Sequence, residues 1–388
     1  MTTKKDIESA LMRGADTLRD TIDAANYKDY VLPMMFVKYL SDSYTDAVEE
    51  LSKQYSGIRL ERQKKYLPFM VAEGCSFYDL YQQRFADNIG QLMNAAMRQI
   101  EADNNQQLAG VLSAVDYNSE NALGTREHKN AILRDLLEDF EPLDLRPSAI
   151  EVKEGQVPAD VIGDAYEYMI GQFASMAGKK AGSFYTPAAV SEIMARIVDV
   201  QPGERVYDPT CGSGSLLIKA AKKQNSKEVS IYGQEVNGSS VAMAKMNMYI
   251  HEIRDAKIGW GDTLANPVFL DADGNLLLFD AIVANMPFSK DKWASGFNPG
   301  GESSGKGKKE FKMEASLDKF HRFDWGVPPA SKGDWAFLLH MLHSLRSNGR
   351  MAAVVPHGVL FRGSAEGRIR QTVIEKNLLD AVIGLPAN

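Results

Sequence analysis

From about residue 156 onward the chain alternates short apolar runs with helix-length amphipathic segments, and this alternation restricts the fold more than any other feature. ERVYDP (204–209), VSIYGQE (229–235), LFDAIVAN (278–285), MAAVVPHG (351–358) and LLDAVIGLP (378–386) are strand-like runs ending in polar, glycine or proline residues. Segments such as 241–253 and 335–345 fill the intervals with helical periodicity. Strands that take turns with helices predict an α/β fold built on a doubly wound, mostly parallel sheet. Such sheets bind ligands beyond the carboxyl ends of their strands.

The first 155 residues read differently. Ile7, Leu11, Leu18 and Ile22 recur at helical spacing, and VLPMMFVKYLSD (31–42) predicts an apolar helix with Pro33 in its first turn. Further helices are expected around 92–100 and 131–140, with the polar stretches 101–107 and 116–130 as loops. The division expected is therefore an α-helical domain over 1–155 and an α/β domain over 156–388. No apolar run reaches the roughly 20 residues of a membrane span, and MTTKKDIESA lacks a signal-peptide core, so a cytoplasmic protein is expected. Two cysteines and six scattered histidines supply no metal-ligand spacing. The net charge of −7 is unusual for a chain that grips nucleic acid unaided, so any such contact is a local patch or belongs to a partner.

Three acids stand at strand ends. Asp208 precedes the turn of Gly212, Ser213, Gly214 and Ser215 in DPTCGSGS, Glu235 closes VSIYGQE, and Asp262 lies in GWGDTL. The turn lacks the lysine of a P-loop and the third glycine of the dinucleotide fingerprint. Glu235 can accept ribose hydroxyls and Asp262 an adenine amino group, which fits a nucleoside ligand without phosphates, S-adenosylmethionine. Upstream, GSFYTP (Gly182, Ser183, Phe184, Tyr185, Thr186, Pro187) enters a helix with Thr186 as N-cap and Pro187 as its first residue. That helix start can also receive the cofactor's carboxylate.

The sharpest motif is ANMPF (284–288). Methylating an exocyclic amine requires freeing a lone pair delocalised into the ring. Two acceptors aimed at its N–H bonds do so, here the Asn285 side-chain carbonyl and the Met286 backbone carbonyl. Pro287 biases Met286 away from helical geometry, and Phe288 offers a face for an unstacked base. The lysines of 289–312 (Lys290, Lys292, Lys306, Lys308, Lys309, Lys312) form a candidate phosphate-contacting loop.

In the order GSFYTP, DPTCGSGS, GQEVN, GDTL, NMPF, GDWAFLLH and GRMAAVVPHGVLFR, these motifs resemble amino-methyltransferases. They look most like the modification subunit of type I restriction–modification systems. The resemblance covers essentially the whole chain, including DIESALMRGADTLRDTIDAANYKDYVLPMMFVKYLSD and GDAYEYMIGQFA. It implies a site-specific DNA methyltransferase that modifies N6 of a flipped adenine in double-stranded DNA. It also implies two modification subunits on one sequence-specificity subunit, with restriction subunits adding to that core. Gly182 to Pro187, Asp208, 212–215, Glu235 and Asp262 then fall at the cofactor site, and 285–288 at the target base. Met286 stands where the family usually has proline. The chain stops where the family's sheet would continue, so a truncated methyltransferase domain is expected. A protein-amide or RNA-base methyltransferase on the same fold, and a catalytically silent DNA or subunit scaffold, are the alternatives.

Overall fold

Capping chemistry starts the first helix. Thr3 accepts the Asp6 amide while Asp6 accepts the Thr3 amide, a reciprocal cap that opens α1 (Lys4–Thr17) and buries Ile7, Ala10 and Leu11. In α2 (Tyr27–Gln54), Pro33 lies inside the helix rather than in the first turn. The reason is Asp23, whose side chain accepts the Ala25 amide and begins a 3-10 turn that runs directly into α2. Then come α3 (Phe77–Gln82), α4 (Ile89–Asp103), α5 (Asn105–Leu108), α6 (Glu120–Leu123), α7 (Arg126–Phe140) and α8 (Pro158–Ala177). The stretches expected as loops thus hold the end of α4, most of α5, all of α6 and the start of α7. Their polar residues serve as caps, as where Ser119 accepts the Ala122 amide.

The computed structural model describes residues 1–55, 66–178, 185–222, 228–298 and 311–386. Further helices are α9 (Ala188–Val198), α10 (Ser215–Lys222), α11 (Gly238–Ile250), α12 (Asp334–His343), α13 (Gly358–Phe361) and α14 (Ser364–Glu375). By their contacts the residues form two units. The first comprises Met1–Pro187, Gly212–Ile218 and Asn237–Ala256; the second comprises Ala188–Cys211, Lys219–Val236 and Lys257–Asn388. In the first, α2, α7 and α8 share one apolar core with Met243, Met246, Tyr249 and Ile250 of α11. None of the described helices is long and apolar enough to cross a membrane.

The second unit is built on five parallel strands: β1 (Arg205–Asp208), β2 (Ser230–Glu235), β3 (Lys257–Trp260), β4 (Phe279–Asn285) and β5 (Leu345–Val354), in the order β3-β2-β1-β4-β5. The protein therefore has an α/β doubly wound fold preceded by helices. Tyr207, Ile282, Ala284 and Met286 join a core with Trp335 and Leu339 of α12. Val206, Ala281 and Val283 alternate with them and are equally buried, so both faces of the central strands are covered. β5 starts earlier than expected, with a register shift opposite Phe279 and Ala281. The expected strand at 378–386 does not form: these residues join no strand, and Leu378, Leu379, Val382 and Ile383 are exposed. An apolar run without a neighbour to take up its backbone hydrogen bonds has no reason to be a strand.

Candidate active site at the carboxyl edge of the sheet

The register of the strands lines up the chemically useful residues. Asp208 pairs with Gly233, two residues before Glu235, and Glu235 pairs with Trp260, two before Asp262. Tyr207 pairs with Ile282, three residues before Asn285. Asp208, Glu235, Asp262 and Asn285 therefore share the carboxyl edge of one sheet.

Asp208 and Glu235 are both buried. Asp208 Oδ1 accepts the Thr210 amide at 2.8 Å and its hydroxyl at 3.4 Å. Burial pushes the Asp208 carboxyl up to about 7; the Thr210 amide opposes that rise and the Glu235 charge adds to it. Asp262 is half-buried, and its Oδ1 accepts the amides of Leu264 at 2.9 Å and Ala265 at 3.3 Å. One oxygen of Asp262 thus caps its own turn. Two buried side chains that the motif reading passed over hold this loop. Gln234 donates to the carbonyls of Gly261 (3.2 Å) and Asn266 (2.9 Å) and accepts the Val268 amide (3.1 Å). Arg322, fully buried, donates to the carbonyls of Thr263 (3.3 Å) and Leu264 (2.6 Å) and is paired with Asp318.

Arg322 also fixes a histidine tautomer. It donates to His340 Nδ1 at 3.0 Å, and since a guanidinium cannot accept, His340 must carry its proton on Nε2 and donate to the Tyr207 hydroxyl at 3.3 Å. Burial first, and the Arg322 charge second, hold His340 well below the ordinary histidine range and neutral.

Within the 285–288 tetrapeptide, Asn285 and Pro287 are half-buried and Met286 is enclosed in the core. Phe288 is 51% exposed. The next residue, Ser289, takes a φ of 52°, and its amide donates to Asp334 Oδ1 at 2.6 Å.

Gly212, Ser213, Gly214, Ser215, Tyr185, Thr186 and Pro187 belong to the first unit. Gly212 and Gly214 have φ of 53° and 78°, the left-handed conformations that glycine takes without penalty. A Cβ on Gly214 would stand 2.9 Å from the Met248 methyl. The Ser213 carbonyl accepts from Asn247 at 3.1 Å, so α11 braces this turn. α9 opens at Ala188, so Pro187 precedes the helix instead of being its first residue. Gly182, Ser183 and Phe184 lie outside the described residues, as do Lys306, Lys308 and Lys309.

Residues 157–388 match the family profile described as N-6 DNA methylase. The chain belongs to the N-6 DNA methylase family. Residues 7–140 of this family member match the HsdM N-terminal domain. It is 30% identical to the type I restriction enzyme MpnII methylase subunit of Mycoplasma pneumoniae, over 98% of this chain and 73% of that protein. The MjaVIII methylase subunit of Methanocaldococcus jannaschii is 29% identical over 97% of this chain, which spans only 61% of that relative's length. Among solved structures, the type I restriction–modification methyltransferase subunit of Streptococcus thermophilus aligns with a TM-score of 0.77 at 32% identity. That alignment covers 100% of this N-6 DNA methylase chain and 82% of the other.

Proposed function

We propose that this chain transfers a methyl group from S-adenosylmethionine to N6 of an adenine extruded from double-stranded DNA, as the modification subunit of a type I restriction–modification enzyme. The observation that carries the reading is the shared edge: Asn285 ends β4 in the same row of strand ends as Asp208 and Glu235, with Phe288 exposed beside it. Family membership points the same way.

The residues present suit the cofactor. Glu235 accepts ribose hydroxyls, and Asp262, with one oxygen engaged in its own turn, offers the other to an adenine amino group. The buried Asp208, costly to ionise alone, is best satisfied beside a cation. The Gly212–Ser215 turn and the Tyr185–Pro187 segment complete the cofactor set in this reading, together with Gly182, Ser183 and Phe184. When bound, the cofactor supplies a methyl carried on a sulfonium. The Asn285 side-chain carbonyl and the Met286 backbone carbonyl accept the two N–H bonds of the target amine and free its lone pair for attack. Phe288 stacks on the base, which offsets part of the cost of taking it out of the duplex.

Residues 1–155 serve as a helical domain for subunit and DNA contacts, and 156–388 as the methyltransferase domain. An acidic chain that modifies DNA leaves most of the gripping to a partner. We assign that role to a sequence-specificity subunit carrying two copies of this chain, with a restriction subunit as a further partner, all in the cytoplasm. The test is transfer of tritiated methyl groups to DNA by the chain assembled with its specificity subunit. Asn285→Ala should abolish transfer while cofactor binding persists; transfer at the wild-type rate would overturn the pocket assignment.

A further inference from the structure

The turn that follows the base pocket is held by charge. Ser289 sits in the left-handed region, a conformation that is strained for any residue with a side chain. Something must compensate, and the compensation comes from Asp334 at the start of α12. Its Oδ1 accepts the Ser289 amide at 2.6 Å, and its Oδ2 accepts Arg362 Nη1 at 2.8 Å. Arg362 reaches Glu366 with the same nitrogen at 3.2 Å and the Ser289 hydroxyl with Nη2 at 3.4 Å. Asp334 has no exposed surface, and that guanidinium is its charged partner. The guanidinium in turn occupies the space where a Cβ on Gly358 would stand, so only glycine there admits it. Two backbone bonds repeat the connection, Gly333 N to Lys290 O at 3.0 Å and Lys292 N to Ala330 O at 2.9 Å.

We propose that Arg362 and Asp334 are positioning residues for methyl transfer: they lock the turn at Ser289 and thereby aim Asn285 and Phe288 at the target base. This rests on the reading that residues 285–288 receive an adenine. Asp334 has no exposed surface with which to touch a substrate, and the Arg362 guanidinium is engaged with Asp334, Glu366 and Ser289. They act by holding an exposed aromatic ring and an acceptor amide on a rigid root, where a displacement of about 1 Å costs on the order of 100-fold in rate.

The test uses the assembled enzyme, tritiated S-adenosylmethionine and DNA carrying the modification site. The rate is expressed per cofactor-loaded site, so that loss of folded protein does not count as loss of catalysis. Arg362→Met and Asp334→Asn should each lower kcat per loaded site by roughly 10- to 100-fold, with cofactor affinity within about twofold of wild type. Arg362→Lys, which keeps the charge but not the fork, should recover part of the loss. With 2-aminopurine at the target position, the variants should still extrude the base while failing to hold it against Phe288, leaving a brighter signal. Wild-type kcat per loaded site in Arg362→Met and Asp334→Asn overturns the proposal. So does cofactor binding that falls in step with activity in all three variants, since that marks a purely structural role. A wild-type enzyme that binds cofactor but modifies no DNA would instead refute the adenine reading beneath it.

Discussion

Replacing Asp208 with asparagine separates the electrostatics of the sheet's carboxyl edge from its shape. The carboxyl sits at about 7 in the folded chain against an ordinary value of 3.8. At about 1.4 kcal/mol per pH unit, that gap amounts to roughly 4 kcal/mol against ionising Asp208 in place. The sign follows from proton counting. Below about pH 4 both folded and unfolded chains hold the proton and nothing is lost. Between about 4 and 7 the folded chain keeps a proton that the unfolded chain has released, so stability falls as pH rises; above 7 the full penalty applies. Asp208→Asn retains the oxygen that accepts the Thr210 amide and carries no such penalty. Urea unfolding of both proteins at pH 5 and pH 8 reads the effect together with its coupling to Glu235, the other titrating groups being common to the pair. The variant's stability relative to wild type should rise by about 3 kcal/mol between those two pH values. An unchanged difference at the two pH values would refute the argument that burial dominates this carboxyl.

Gly214→Ala places a methyl at φ 78° and 2.9 Å from Met248, so thermal unfolding should show a loss of about 1–2 kcal/mol; an unshifted melting temperature would show that the turn tolerates another conformation. Phe288→Ala should weaken binding of DNA containing the target site by about 1–3 kcal/mol while leaving the melting temperature alone. Equal DNA affinities in a titration would remove the stacking role. Arg322→Met leaves Asp318 buried without its partner and should cost about 3–5 kcal/mol in denaturant unfolding. A loss below about 1 kcal/mol would mean that the pair and its carbonyl contacts do not hold the 262–266 loop as argued.

What could be read from the residues alone was local and periodic. The strand ends at Asp208, Glu235 and Asn285 are marked by apolar runs that stop at polar residues, and the left-handed turn at Gly212 and Gly214 is marked by the glycines themselves. Pro33 misled because a proline marks a helix start only when nothing nearer does, and Asp23 already supplied one. The 378–386 run misled because apolarity shows that a segment can be a strand but not that it has a neighbour. Asp334, Arg362, Gln234 and Arg322 escaped for another reason. The loop groups they hold, Gly261, Ser289 and Thr263, lie between 27 and 73 residues away in sequence, and a polar side chain destined for such a role looks like any surface one until the chain folds around it.

β5 occupies one margin of the five-stranded sheet. Its outer side offers amides and carbonyls to any extended segment that reaches them, and Leu378, Leu379, Val382 and Ile383 add an oily surface in the same unit. Preparation of the isolated chain will therefore be governed by crowding: light scattering should climb with protein concentration well below the melting temperature.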